Sequence, residues 1–357
     1  MAGTGEGIAR YVEELVAHLS QIDLVNEYYL LVDERVNFNF QISNDKFHAV
    51  RAKSPYYSWR EQTLFVWELL RLKLDLVHFP SFNVPIFYPG KFIVTIHDLI
   101  HHRFPGKKRG RALHRLAYRA VMWTALKRAR HIIAVSQATR RDLEANFKIS
   151  PAKIAVIYEG VAARFREAGI PNSQFPIPKL YILFVGVWRQ YKNLPRLARA
   201  FDILKERWPD LKLVLAGKID PYYPEIKNAV MAARHAADIK PLEYVSEEEL
   251  LSLYRGAQLL VIPSLTEGFG LIGIEAQACG TPVASSDTPV LHEVLGGGAV
   301  YFNPESEQDI AEKINGVLQN PDLKRNLRQA ALDNSKRFDW QKTAAETLAI
   351  YERERIK

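Results

Sequence analysis

The sequence predicts an α/β protein made of two successive lobes, each built on a parallel sheet. Three observations predict it. Short apolar runs alternate with amphipathic helical patterns along the whole chain. Runs such as 92–96 and 131–135 are nearly continuous in apolar, β-branched residues, as suits strands covered on both faces. The 357 residues exceed one ordinary domain of about 150, and a Pro- and Gly-rich lapse falls near the middle.

The elements follow in order. Ile8, Tyr11, Val12, Leu15, Val16 and Leu19 recur at the spacing of one helix face. Strands are expected at 28–32, 76–79, 92–96 and 131–135, with helices at about 60–74, 109–129 and 137–147. Between 167 and 179 the pattern lapses into Gly169, Pro171, Asn172, Ser173, Pro176 and Pro178, which reads as a linker. The alternation then restarts. Strands are expected at 181–187, 211–216, 259–263, 282–285 and 299–302. Helices are expected at 194–207, 247–255, from about 270, at 306–318 and 321–337, and at 340–355. Two α/β lobes of similar size predict a ligand cleft near strand C-termini.

Composition excludes several classes. Apolar residues are 48% and charged residues 25%, which is globular rather than disordered. The lone Cys279 excludes an intrachain disulfide and a Cys-based zinc site, and fits a reducing compartment. The longest apolar run, 180–188, is half of what a membrane span needs. No signal peptide is visible, because the first apolar segment is helically periodic and charged.

The segment PSLTEGFGLIGIEAQA (263–278) is the most informative. It follows a buried strand and opens a helix. Gly268 and Gly270 remove side chains where a ligand would approach the backbone, and a helix N-terminus offers free N–H groups to phosphate. Glu267 and Glu275 flank that site. Two carboxylates cannot both bind phosphate, but both can bind hydroxyls, which suggests a sugar and a ribose on either side of a diphosphate. On physics alone, a capped helix with two solvated glutamates fits as well. GVWRQYKN (186–193) places Arg189 and Lys192 after the first strand of the second lobe, suited to a diphosphate, although such loop cations are often merely solvated. In TIHDL (95–99), His97 ends a first-lobe strand and can hydrogen-bond a hydroxyl; His101 and His102 are equally suited, and a lone histidine is usually structural.

Taken together, these residues resemble the retaining glycosyltransferases of GT-B type, family 4, across essentially the whole chain. The strongest element is Glu267 and Glu275 within P-S-x-x-E-G-F-G-L-x-x-x-E-A-x-A. GTPV (280–283), YVSEEEL (244–250), Val135-Ser136, YEGV (158–161) and FDW (338–340) follow the family order. The resemblance implies two Rossmann-like lobes with parallel sheets facing a central cleft. It divides the chain into an acceptor lobe (1–170), a nucleotide-sugar lobe (171–337), and a C-terminal helix (338–357) crossing back to the first lobe. It implies that Glu275 binds ribose and Glu267 the donor sugar, near the backbone of Gly268, Phe269, Gly270 and Leu271. Lys192, with Arg189, would hold the diphosphate, Tyr244 and Val245 would lie near the base, and His97 beside the reacting centre. His97, Lys192 and Glu267 are thus the expected catalytic residues. The donor would be GDP-mannose or a UDP-sugar, the acceptor a saccharide or lipid-linked saccharide, and the outcome retention by a front-face route. No metal and no cofactor beyond the donor are implied.

Three features depart from or add to that pattern. Arg189 stands two residues beyond the family's Gly-Arg position. The chain opens on MAGTGEGIARY (1–11), so a glycine turn with Gly5 and Gly7 is expected at the donor phosphates, with Ala9 in place of a glycine. The first strand of the first lobe is expected to be missing, leaving neighbouring strand edges unpaired and a chain less stable than one extended upstream. Finally, the net charge of +8 is local. Residues 99–141 hold twelve Lys or Arg and no Asp or Glu, and the remainder carries 36 basic against 40 acidic residues. Arg111, Arg115 and Arg119 lie along one helix face, with Leu113, Leu116, Ala120 and Val121 mostly away from them. That predicts docking on an anionic membrane surface by a cytoplasmic, peripheral protein; a solvated basic face is the alternative. Nucleic acid is not expected, since no recognition motif is present. A sugar-nucleotide epimerase of similar fold lacks the paired glutamates, and a donor-binding but inactive homologue is the remaining alternative.

Overall fold

The computed structural model describes residues 7–33, 42, 44–54, 58–104, 106, 111–167 and 177–356. The chain runs α1 (Gly7–Ile22), β1 (Tyr28–Asp33), β2 (Phe47–Ala52), α2 (Trp59–Arg71), β3 (Val77–Phe79), β4 (Phe92–Ile96), α3 (Ile100–Arg103), α4 (Arg111–Arg128), β5 (His131–Ala134), α5 (Gln137–Phe147) and β6 (Ile154–Val156). It continues with β7 (Tyr181–Val185), α6 (Leu194–Lys205), β8 (Lys212–Ala216), α7 (Pro224–Met231), β9 (Ile239–Leu242), α8 (Glu247–Gly256), β10 (Leu260–Ile262), α9 (Leu271–Ala278), β11 (Val283–Ser286), α10 (Pro289–Leu295), β12 (Ala299–Phe302), α11 (Glu307–Gln319), α12 (Pro321–Ser335) and α13 (Trp340–Ile356). Every strand pair is parallel. No described helix is long and apolar enough to cross a membrane.

The chain divides into two compact units. The first comprises Met1–Leu99, Lys108–Gly160 and Asp339–Lys357; the second comprises Ile100–Lys107 and Val161–Phe338.

In the first unit, β3, β4, β5 and β6 form one sheet in that order, and β1 pairs with β2 in a separate one. All five residues of β4 and all four of β5 are buried, as their continuous apolar character requires. The helix α13 lies against α1, with Tyr11, Leu15, Leu19, Trp340 and Ala344 forming the contact. Gly160 admits the start of α13, because a Cβ there would fall 2.3 Å from the Trp340 nitrogen. Among the described residues, no strand lies between β1 and β3. A cavity of about 650 Å³ is lined by the β1 residues Tyr28 to Asp33 and by Leu76, Val77, His78 and Phe79.

In the second unit, the sheet order is β12-β11-β10-β7-β8-β9. Residues 181–184, 213–216 and 260–262 are all buried, and α6 and α11 cover them with Leu197, Phe201, Leu204, Ile310 and Ile314. The chain leaves β7 toward β8 and β9, then returns to place β10 on the other side of β7. The loops after β7 and β10 therefore part at a topological switch point, where ligands of open parallel sheets bind.

Candidate functional site

Two loops of the second unit meet at that switch point. The loop after β7 carries Gly186 to Asn193, and the loop after β10 carries Pro263 to Gly270. They are tied together by backbone and side chain. Leu265 N–H donates to Tyr191 O at 2.8 Å, and Asn193 Nδ2 donates to Pro263 O at 3.0 Å. Between them, Lys192 Nζ meets Glu267 Oε1 at 2.7 Å, with both side chains about nine-tenths buried. Gly186 has φ +146°, a region L side chains rarely adopt, and a Cβ there would stand 3.7 Å from Lys192 Nζ.

The β10 loop delivers the chain to α9 through Gly270, whose φ of +89° sets the helix start. Gly268 and Phe269 precede it, and Phe269 is buried edge-on against Phe338 at 5.6 Å. Leu271 is the first helical residue, and Gly273 N–H donates back to Gly270 O at 2.8 Å. Glu275, the fifth helical residue, is 1% exposed, and the Tyr254 hydroxyl donates to its Oε2 at 3.1 Å. The pair of glutamates is thus not a solvated pair on a capped helix. Burying two carboxylates is costly unless each is paired or hydrogen-bonded, and Lys192 and Tyr254 meet that requirement.

Arg189 is engaged elsewhere: its Nε donates to Asp220 Oδ2 at 3.1 Å. Its charge is partly matched before any anion arrives, a pairing that neither sequence alternative, diphosphate ligand or solvated loop cation, foresees. Tyr244 is 86% exposed and Val245 half-buried, just before a capping box of Ser246 and Glu249 that starts α8.

His97 belongs to the first unit, at the carboxyl end of β4. Nδ1 meets Glu159 Oε1 at 2.9 Å and Nε2 meets Pro80 O at 2.9 Å. Tyr11 packs edge-on at 4.8 Å. Burial pulls the imidazole pKa down, but the hydrogen bond and charge of Glu159, then Pro80 O and Asp98, outweigh it, and the net shift is upward. His78 goes the other way. Buried between the Tyr351 hydroxyl (2.6 Å) and Thr95 Oγ1 (2.8 Å), it is pushed down to about 3 by burial and then by His97. The expectation that the His97 ring reaches a substrate hydroxyl meets this geometry: both ring nitrogens already have partners within the unit. Glu159, Tyr254 and Asp220 carried no role in the sequence reading, since each acts on a residue 21 to 62 positions away.

Gly7 opens α1 with nothing within 4 Å of an added Cβ; Gly5 lies outside the described residues. On α4, Met122, Ala125 and Leu126 are buried. Arg115 and Arg119 are exposed, together with Leu116 (65%) and Trp123 (58%). Trp123 therefore sits on the arginine side, at the same four-residue spacing, rather than on the buried stripe. The Arg111 side chain and residues 168–176 of the expected linker lie outside the described residues.

Residues 166–333 match the family model for glycosyl transferases group 1, and residues 5–165 match glycosyltransferase family 4. The O-antigen chain mannosyltransferase RfbU of Salmonella typhimurium is 32% identical over 234 residues, covering 64% of this chain and 61% of that protein. The serotype-specific mannosyltransferase WbdA of Escherichia coli is 28% identical over 284 residues, covering 75% of this chain and 34% of that protein. The matched stretch spans less than two thirds of either relative's length. Among solved structures, sucrose-phosphate synthase from Thermosynechococcus elongatus superposes with a TM-score of 0.78 at 20% identity, covering 98% of this chain and 93% of that one.

Proposed function

Because the chain belongs to family 4 of the GT-B glycosyltransferases, we propose that it transfers a hexose, with retention, from a nucleotide-diphosphate sugar to a saccharide or lipid-linked saccharide in cell-surface polysaccharide synthesis. GDP-mannose is the first donor to test, because RfbU and WbdA are both named mannosyltransferases. The observation that carries the reading is the buried Lys192–Glu267 pair at the switch point, with Glu267 eight residues ahead of buried Glu275.

In this reading the donor lies across the β7 and β10 loops. Glu275 takes the ribose hydroxyls and Glu267 the donor-sugar hydroxyls. Lys192 exchanges Glu267 for the diphosphate and stabilises the charge that gathers on the leaving group. Arg189 assists after release from Asp220. Preorganised cations in a water-poor site do here what a metal ion does in other transferases, so turnover is expected to survive EDTA. The leaving phosphate oxygen accepts the acceptor's proton on the same face, and the new bond keeps the anomeric configuration. His97 serves the reacting centre by resemblance to the family.

The exposed face of α4 supports a peripheral position at the inner membrane surface. Arginines supply attraction to anionic headgroups, and Trp123 and Leu116 supply the apolar contact an interfacial helix needs. A thermal-shift panel of nucleotide sugars tests the donor reading. A rise in Tm with GDP-mannose or a UDP-sugar, and release of the free sugar on incubation, is the expected result. No shift with any nucleotide sugar contradicts it. A shift without turnover points to a donor-binding, inactive protein.

A further inference from the structure

Three loops at the carboxyl edge of the first-unit sheet converge on one imidazole. Pro80 follows β3, His97 follows β4 and Glu159 follows β6. A carbonyl can only accept, so Nε2 carries a proton and donates it to Pro80 O at 2.9 Å. Nδ1 faces a carboxylate oxygen at 2.9 Å, on a side chain 6% exposed. A proton shared across that contact leaves the ring cationic and the carboxylate anionic, the arrangement that repays burial of both groups. The ring cannot turn, since rotation would break both bonds at once. Tyr11 packs against the ring in an edge-to-face contact at 4.8 Å, and the backbone oxygen of His97 accepts from Thr139 Oγ1 at 3.3 Å.

We propose that Glu159 is a positioning residue that holds His97 as a fixed imidazolium, so that the transfer reaction uses His97 as a placed positive charge and not as a proton acceptor. This rests on the reading that His97 serves the reacting centre of a glycosyltransferase. A neutral imidazole acting as base needs a free nitrogen lone pair, and this ring has none to offer. A cation placed once, at folding, costs no reorganisation at the moment charge develops in a reaction. The titratable groups that bear on the ring are Glu159, Asp98 and Tyr11, with His78 behind Thr95. The two carboxylates favour the cation. His78 stays neutral between Tyr351 and Thr95 and so adds no competing charge.

The test pairs spectroscopy with kinetics. In protein labelled with ¹⁵N-histidine, the His97 ring, assigned by its loss in His97→Gln, should show two protonated nitrogens at pH 7.5. In Glu159→Gln, which keeps the shape and loses the charge, the same ring should be neutral at that pH. GDP-mannose hydrolysis by the native protein should be flat from pH 5.5 to 8. In Glu159→Gln, burial acts on the ring without the carboxylate to oppose it, so the His97 pKa falls and hydrolysis should drop as pH rises over that range. Glu159→Asp should restore the flat profile in part, which a merely structural defect would not do. A neutral His97 in the native protein overturns the proposal. So does a Glu159→Gln protein with a neutral ring and an unchanged pH profile. His97→Gln turning over at the native rate would instead remove the functional reading beneath it.

Discussion

At the scale of residues, the site is a set of charges matched in advance. Lys192 and Glu267 are each other's partner at 2.7 Å, so removing one strands the other in a buried place. Lys192→Ala is expected to lower donor hydrolysis by about a hundredfold or more, a loss read as kcat rather than KM if the lysine acts on the leaving group. Cys279, just past α9, gives an independent check on burial. Its thiol is pushed up to about 12 by burial, so alkylation at pH 8 should be more than about a hundredfold slower than for an unfolded chain. Fast alkylation of the native protein would contradict the packing behind α9. The glutamate pair was legible in the sequence because its spacing and flanking glycines lie on one contiguous segment. The partners were not, because Tyr254, Asp220 and Glu159 reach their targets only through the fold.

At the scale of elements, long apolar runs were legible and short or polar ones were not. The strands at β4, β5, β7 and β8 announce themselves by continuous burial. The sequence reading passed over β2, β6, β9, α3, α7 and α10. Polar and half-exposed positions interrupt β2, β6 has three residues, and β9 contains Pro241, tolerated because β9 is a sheet edge. Helices α7 and α10 are one to two turns each, too short to show a period. Two tests belong at this scale. Among the described residues, the amides of β1 and β3 border a cavity rather than a neighbouring strand on one side, so they should exchange at least about tenfold faster than those of β4 and β5; equal protection would show that the two sheets close on each other. On α4, Arg115→Glu with Arg119→Glu should abolish co-sedimentation with vesicles containing phosphatidylglycerol, and raised salt should do the same to the native protein. Binding that survives both changes would sink the membrane reading.

At the scale of the whole molecule, the formal charge of +8 describes neither unit well. Twelve basic residues without an acidic one fall between 99 and 141, and the rest of the chain is slightly acidic. The α4 part of that segment belongs to the first unit, while the residues described for the donor, Arg189, Lys192, Glu267 and Glu275, all lie in the second. Donor binding and surface attraction should therefore separate: added salt should weaken vesicle binding far more than nucleotide-sugar affinity. The central claim is that the second unit holds a nucleotide sugar at the β7/β10 switch point through the helix that carries Glu275. Calorimetric titration of GDP-mannose or a UDP-sugar into the native protein and into Glu275→Ala tests it most directly. The account predicts saturable binding to the native protein and affinity at least about tenfold weaker in the variant, a loss of about 1.4 kcal/mol. Equal affinity for both proteins would contradict it.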